Sequence, residues 1–353
     1  MNALDIYDCT ETLTLMSTVE LIEKPATFLT TTFFPNVEPF FYSTKIAIEF
    51  RHQGRMLAPY VVAGTRGVNV GRGTSQIMEY SAPMFGVRRV IGQKDVEMRQ
   101  FGELPIFSTL KAEDRARIMQ AQDLNDLLAM HANRKERVCA DILQYGKTTL
   151  KAYADDGKVT EVEEIDFNFK NKASTDWTAS TAKIYEELRA ISDRIQQRTG
   201  TIPTMAVCGK GVEEMLMNNA EIRNWLMLPN RENLAMASFA PHYTESQCRY
   251  IGRISALNMD FVSYGKTYYE ADGTVKPYID DYTVIIANAH KGRILRGSMV
   301  FFEDDGKWHT YAADYVPRYT FDREANQSSL AIFARYLPVP SLLDDHFCLQ
   351  VHP

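Results

Sequence analysis

From Ser108 to Tyr145 the chain contains neither proline nor glycine, and Met119, Leu124, Leu127, Leu128, His131, Val138, Ile142 and Tyr145 fall on one helical face. That pattern is the mark of an amphipathic α-helix. Ended by Gly146, the helix is predicted to run roughly 35 residues, or about 50 Å at 1.5 Å per residue. An average helix has about 11–12 residues. A single helix of this length outside a coiled coil serves as a strut, so the remaining elements must be laid along it.

What precedes the strut is unsuited to a simple core. Residues 1–24 hold five acids (Asp5, Asp8, Glu11, Glu20, Glu23) against one base, Lys24. After Pro25 come Phe28, Phe33, Phe34, Phe40 and Phe41, spaced by Pro35 and Pro39. Prolines this close prevent a continuous helix, so the segment reads as an extended arm. Its rings need cover from the chain's own body or from a neighbouring subunit, and a monomer would have difficulty supplying it.

Residues 46–93 read as β structure. Ile46, Ile48 and Phe50 alternate, Gln53-Gly54 offers a turn, and 56–62 follow as a second strand. Gly64, Gly67, Gly71 and Gly73 suit a twisted or bulged hairpin better than a packed core. The segment holds Arg51, Arg55, Arg66, Arg72, Arg88 and Arg89, with Glu49 and Glu79 as its only acids and no lysine. It therefore carries +4, while the whole chain carries −6. Lysine would serve mere solubility equally well; arginine forks suit bidentate pairing with carboxylates. A basic loop on an otherwise acidic body favours head-to-tail association, which closes rings or extends lattices.

Beyond the strut, Asp156-Gly157 marks a hairpin followed by Val162, Ile165, Phe167 and Phe169. Ser174-Thr175-Asp176 predicts the start of a helix running to about Thr199, with Ile184, Leu188, Ile191 and Ile195 on one face. A strand at Ile202–Val207, a turn at Gly209–Gly211 and a helix at Val212–Asn218 give an α/β segment. Hairpin-rich strands occupy Tyr250–Tyr311, with turns at Ala271–Thr274 and Asp304–Lys307. Strand patterns return at Ala331, Phe333 and Arg335, and at Phe347, Leu349 and Val351.

Composition excludes several classes. At 353 residues, 45% hydrophobic and 24% charged, the chain is globular, with about two compact units or one elaborate one. Its mild acidity argues against a dedicated DNA reader. Five cysteines, none in a C-x-x-C pair, suggest buried thiols rather than zinc or disulfides. Asp5 and Asp8 stand where a signal peptide would be basic, and no apolar run approaches the ~18 residues of a membrane span. An intracellular soluble protein is expected, and the Asn326-Gln327-Ser328 sequon reads as incidental.

Candidate chemistry fares poorly. Gly209-Lys210-Gly211 lacks the phosphate loop's earlier glycine, where Thr204 stands, and its hydroxyl residue, where Gly211 stands. Gly71-Arg72-Gly73 has Gln76 where a dinucleotide fingerprint needs a third glycine. His131 and Cys139 read as core positions. The pairs Asp155-Asp156, Asp280-Asp281, Asp304-Asp305 and Asp344-Asp345 read as solvated turns. No catalytic residue, cofactor or metal is expected, and no enzyme.

One known family has this order of parts. Phe33-Phe34-Pro35, then Lys45–Phe50, Leu57-Ala58-Pro59-Tyr60-Val61 and Gly67-Val68-Asn69-Val70 are its first stretch. Tyr282–Ala289 with Gly292 and Arg293, and Pro340–Phe347 before a terminal strand, are the others. In this order they resemble the major capsid proteins of tailed phages, specifically the lambda-like family called major capsid protein E. The resemblance implies an α+β, HK97-like capsid fold: an N-terminal arm at 1–45, an extended E-loop at 46–93, a peripheral domain with a spine helix at 94–175 and 321–353, and an axial domain at 176–320. It implies self-assembly into hexamers and pentamers of an icosahedral shell enclosing phage double-stranded DNA. A scaffolding protein, a portal and sometimes a decoration protein would be partners, in a virion assembled in the host cytoplasm. The inter-subunit contacts expected are Phe28, Phe33, Phe34, Phe40, Phe41, Arg51, Arg55, Arg66 and Arg72. Some relatives weld neighbours through an E-loop lysine; with none in 46–93, non-covalent stabilisation is expected. No built-in scaffold region of about a hundred residues is apparent, so a separate or differently fused scaffold is expected. Lys111–Lys151 holds eight bases and six acids, so contact with packaged DNA should be weak and non-specific. The rival readings are an encapsulin-like shell around a protein cargo and a small-molecule enzyme using the Gly209–Gly211 turn.

Overall fold

The computed structural model describes residues 19, 27–43, 45–51, 57, 75–98, 111–153, 159–219, 221–222, 226–227, 248–270, 273–303 and 306–352. The strut is present as one helix, Ala112–Tyr145, of 34 residues. Gly146 ends it at φ +66°, a left-handed conformation suited to glycine. A Cβ at Gly146 would also lie 1.9 Å from Cβ of Phe169, so the chain leaving the helix packs against that bare backbone.

Two sheets flank the helix. The first joins β1 (Asn36–Phe41), β15 (Arg293–Gly297), β19 (Gln327–Val339) and β18 (Val316–Asp322), with β4 (Met84–Gly92) pairing β19. The second has seven strands in the order β7 (Lys172–Ser174), β20 (His346–Gln350), β14 (Thr283–Ala287), β8 (Met205–Cys208), β11 (Met259–Tyr264), β10 (Cys248–Ile254) and β9 (Leu226–Met227). Its middle strands are unbroken apolar runs, MAVC and TVIIA, because both faces are covered. Met205, Val207, Ile285 and Ala287 join the core that contains the strut's Leu127, Leu128, Ile142 and Leu143. Ala206, Cys208, Val284 and Ile286 join a second core with two further helices, Ile184–Thr199 and Lys210–Asn218. The strut's apolar face also meets Leu330, Ile332 and Ala334 of β19. One helix thus serves both sheets, as its length requires.

Several expectations need correction. Phe28–Phe33 is not extended but a six-residue helix, α1. So short a helix has little stability alone, and its cap comes from elsewhere in the chain, as described below. The loop segment ends before Gln93: Met84–Gly92 pairs with β19 from Met84↔Arg335 to Gly92↔Gln327. The alternating Phe85, Val87 and Ile91 turn toward the strut, and Arg89 on that same face binds Asp123 at 2.6 Å and Asp126 at 2.7 Å. Arg88 and Arg89 are therefore sheet residues. The helix expected from Thr175 begins at Ile184, because Asp176 accepts from the Thr178 amide in a local turn and Trp177 buries beside it, donating to Glu187. Its apolar face is the expected one. Sheet membership also cuts across the borders drawn at 175/176 and 320/321: β7 and β20 lie in the seven-stranded sheet, β15 in the other.

Small hairpins are also present: β2 (Lys45–Arg51) with β3 (Ser75–Ser81), β5 (Lys147–Tyr153) with β6 (Val159–Asp166), β12 (Thr267–Tyr269) with β13 (Val275–Pro277), and β16 (Met299–Phe302) with β17 (Trp308–Tyr311). The expected strand at 56–62 and the glycines 64, 67, 71 and 73 lie outside the described residues, Leu57 excepted. So do Asp155-Asp156, Ala271-Asp272 and Asp304-Asp305. Among the described residues no helix is long and apolar enough to cross a membrane.

Candidate assembly surface

The arm is anchored by one buried carboxylate. Glu136 sits in the middle of the strut's apolar stripe and is fully buried. Its Oε1 accepts from the Leu29 amide at 2.7 Å and the Tyr264 hydroxyl at 2.8 Å. Its Oε2 accepts from the Thr30 amide at 3.0 Å and the Thr30 hydroxyl at 2.7 Å. First-turn amides of a helix normally find a side-chain cap just upstream, but Thr27 gives none. Here the cap is supplied from 106 residues away, and its charge suits the positive end of the helix.

With α1 held there, Phe28, Phe33 and Phe34 are buried in the chain's own core. This corrects the expectation that a neighbour covers them: Phe28 lies 5.5 Å from the Tyr264 ring, and Phe34 fills the space over Gly292, where a Cβ would meet it at 2.4 Å. Phe40 and Phe41 are half-buried on β1. The Arg296 guanidinium covers Phe40 at 4.2 Å, and that of Arg335 lies 6.0 Å from Phe41.

The basic loop has a built stem. β2 and β3 pair in unbroken register from Lys45↔Ser81 to Arg51↔Ser75, which puts Arg51 on the last rung. Arg55, Arg66 and Arg72 lie in 52–74, outside the described residues. Two contacts fix the root of the stem. Tyr80 donates to the Asp166 carbonyl at 2.6 Å and packs on Phe167 at 5.0 Å; burial, then the nearby Asp166, pushes its pKa up to about 12. Arg335 donates through Nε to the Ala82 carbonyl at 3.1 Å and through Nη1 to the Ser298 carbonyl at 3.3 Å. Arg335 thereby ties the loop root to the root of the β16–β17 hairpin. Sequence reasoning missed Glu136, Tyr80 and Arg335. A charge inside an apolar stripe is a usable signal for the first; the other two look like ordinary strand residues until their partners are known.

The turn that invited a phosphate-loop reading is occupied by protein. The Gly209 amide donates to the Thr283 carbonyl and the Gly211 amide to the Asp281 carbonyl, both at 2.9 Å. A Cβ at Gly209 would lie 2.1 Å from the Asp280 carbonyl oxygen. The glycines permit close backbone approach, and these amides are not turned to a ligand. His131 and Cys139 are core positions, as expected. Asp344 departs from the solvated reading: it binds Arg198 at 2.6 Å and Asn171 at 2.9 Å, with Asp345 buried beside it. Among the described residues no group of three or more His, Cys, Asp or Glu side chains is placed to hold a metal.

Burial of two histidines gives a pH dependence. His131 donates to the Ile332 carbonyl at 2.9 Å, and His346 stacks on Phe169 at 4.2 Å. Burial lowers both from 6.5 to about 4; Lys135 and Arg134 reinforce this at His131, while Asp344 opposes and Lys172 reinforces it at His346. The unfolded chain therefore binds protons that the folded one refuses. Stability is full above pH 6.5 and falls toward pH 4 by up to about 3 kcal/mol per histidine. Asp141, raised by burial to about 6 despite Arg137, works in the opposite sense and regains up to about 3 kcal/mol as pH falls from 6 toward 3.8. Urea titrations of unassembled subunits should show a net loss between pH 6.5 and 4.5, and His346→Phe, which keeps the ring stack, should flatten it. An equal slope in the variant would contradict this.

The family model described as phage major capsid protein E matches residues 11–344. No curated protein sequence matches the chain. Among solved structures, a putative capsid protein of a prophage in Escherichia coli CFT073 aligns over 99% of each chain at TM-score 0.64 and 15% identity. A phage-related protein from Bordetella bronchiseptica RB50 aligns over 96% of each at TM-score 0.53 and 10% identity. The fold is the α+β, HK97-like capsid fold expected, and the encapsulin-like alternative is not favoured.

Proposed function

We infer the working of the molecule from its kinship: the chain belongs to the phage major capsid protein E family, and many copies of it build the shell of a phage capsid. Family and fold imply a structural rather than an enzymatic role. The copies form hexamers and pentamers, with the five-stranded sheet and the strut as the peripheral domain and the seven-stranded sheet as the axial domain. The segment carrying Arg51, Arg55, Arg66 and Arg72 is the E-loop, and its arginines reach acidic surface on a neighbouring subunit. The observation that carries this reading is the complete β2–β3 ladder, a paired stem that joins the two ends of a lysine-free, arginine-bearing segment in a chain of opposite net charge.

A single exposed ion pair is worth only ~0–1 kcal/mol, but every copy in a ring repeats it. Arg66→Ala with Arg72→Ala should leave subunits folded and shells weak, dissociating at salt concentrations that the parent shell survives. Unchanged shell yield and salt resistance would contradict the assignment. A scaffolding protein, a portal and, in shells that carry one, a decoration protein are the further partners, with assembly in the host cytoplasm. The near-balanced charge of Lys111–Lys151 supports only weak, sequence-independent contact with packaged double-stranded DNA.

A further inference from the structure

The face of the first sheet that turns away from the strut ends in a polar recess of about 200 Å³, lined by Arg88, Val90, Thr320, Asp322, Gln327 and Ser329. Register explains this lining. Arg88, Ala331 and Arg318 share one rung, Val90, Ser329 and Thr320 the next on that face, and Gln327 and Asp322 the one after. They alternate with Arg89 and Ile91, so the pleat turns them from the strut. The β16–β17 hairpin packs through Met299 and Phe301 on Phe333 and Val316, one rung before Arg88 on this face.

The three arginines at this end of the sheet differ. Arg89 is held by Asp123 and Asp126. Arg318 donates to the Phe302 carbonyl at 2.8 Å and lies 3.8 Å from Glu303. Arg88 is exposed and has no bonded partner among the described residues. On the next rung the Thr320 and Ser329 hydroxyls bond each other at 2.7 Å, and Ser329 is buried. Such a pair uses one of its two hydrogens, which leaves one O–H to donate into the recess.

We propose that the Arg88 end of this recess binds a phosphate group, either free or on a nucleic-acid backbone. A guanidinium fork engages two oxygens of one anion. A carboxylate has then spent both, whereas a phosphate keeps a third for the hydroxyl. Asp322 does not cancel the site. Four residues beyond the Arg318 rung, it lies about 13 Å along the strand, further than the Debye length of about 8 Å at physiological salt. Its Oδ1 also accepts from the Glu324 and Ala325 amides at 3.0 Å. The inference rests on this sheet alone and stands apart from the shell reading.

The test is broadening of the phosphorus NMR line of inorganic phosphate by the purified, unassembled chain at constant ionic strength. Saturable broadening is expected, half-complete at millimolar phosphate, because a single guanidinium supplies the charge. Arg88→Gln should reduce it about tenfold, the scale of one charge-assisted hydrogen bond. Its urea midpoint in chloride should match the parent's, since the side chain is exposed and unbonded. Arg88→Lys, which keeps the charge without the fork, should fall between the two. Thr320→Val with Ser329→Ala should weaken phosphate binding several-fold and leave competition by acetate unchanged. A DNA duplex that displaces the phosphate identifies the backbone as its source, and one that does not identifies free phosphate; either result supports the assignment. No saturable broadening, equal broadening with Arg88→Gln, or acetate competing as tightly as phosphate would overturn it.

Discussion

Replacing Glu136 by Gln is expected to cost the subunit about 3 kcal/mol, and replacing it by Ala about 3–5 kcal/mol, the scale for breaking a buried, charge-assisted network. The four donors from Leu29, Thr30 and Tyr264 all point at carboxylate oxygens. An amide nitrogen in either oxygen's place would face a backbone N–H, from Leu29 or from Thr30. Either hydroxyl can rotate to adjust; a backbone N–H cannot. In the Gln variant one buried donor is left unmatched and the helix Phe28–Phe33 keeps one of its two capping amide contacts; in the Ala variant it loses both. With total stability commonly 5–15 kcal/mol, a loss on this scale is decisive. Urea unfolding of the unassembled subunit gives the number, and a change below about 1 kcal/mol would show that the arm is held by its phenylalanines alone.

The second large effect is expected at Gly209. A methyl group there would collide with the Asp280 carbonyl at 2.1 Å and the Asp281 carbonyl at 2.6 Å. Both are main-chain oxygens, held in place by hydrogen bonds from Gly209 to Thr283 and from Gly211 to Asp281. No flexible side chain can give way, so β8 and the helix after it would have to part from the 280–283 segment. Gly209→Ala should therefore cost about 3 kcal/mol, the upper end for overpacking. Gly265→Ala, which meets nothing within 4 Å, is the control and should change stability by less than about 0.5 kcal/mol. If both variants unfold at the parent's midpoint, the close approach at Gly209 does not govern the packing.

Local signals carried much of this fold. A proline-free, glycine-ended stretch announced the strut to within a few residues, because periodicity and a left-handed terminus are both written in neighbouring residues. The tail strands and the hairpins around 273–274 and 306–307 were legible for the same reason. Where sequence reading went wrong, a distant partner decided the outcome. Phe28–Phe33 becomes helical because Glu136 caps it from the strut, and nothing near Phe28 encodes that. Met84–Gly92 leaves the loop because β19, more than 230 residues later, offers it a partner; its alternation was readable, its destination was not.

The surface was less legible still. The arginine content of 46–93 is a composition fact, yet two of its six arginines, Arg88 and Arg89, lie on a sheet strand and only the stem of the loop is described. Arg335 reads only as part of a strand pattern with Ala331 and Phe333, and it holds two hairpin roots together. Trp308 and Phe302 are exposed on their hairpin, and no sequence pattern marks them, since alternation tells which residues share a face but not which face meets the body.

The most direct test of the shell role is electron microscopy of the purified chain, expressed alone and together with the proteins encoded beside its gene. Closed, regular containers of one size, built mainly of this chain in at least one preparation, are the expected result. Small compact particles in both preparations, with no rings or shells, would contradict it.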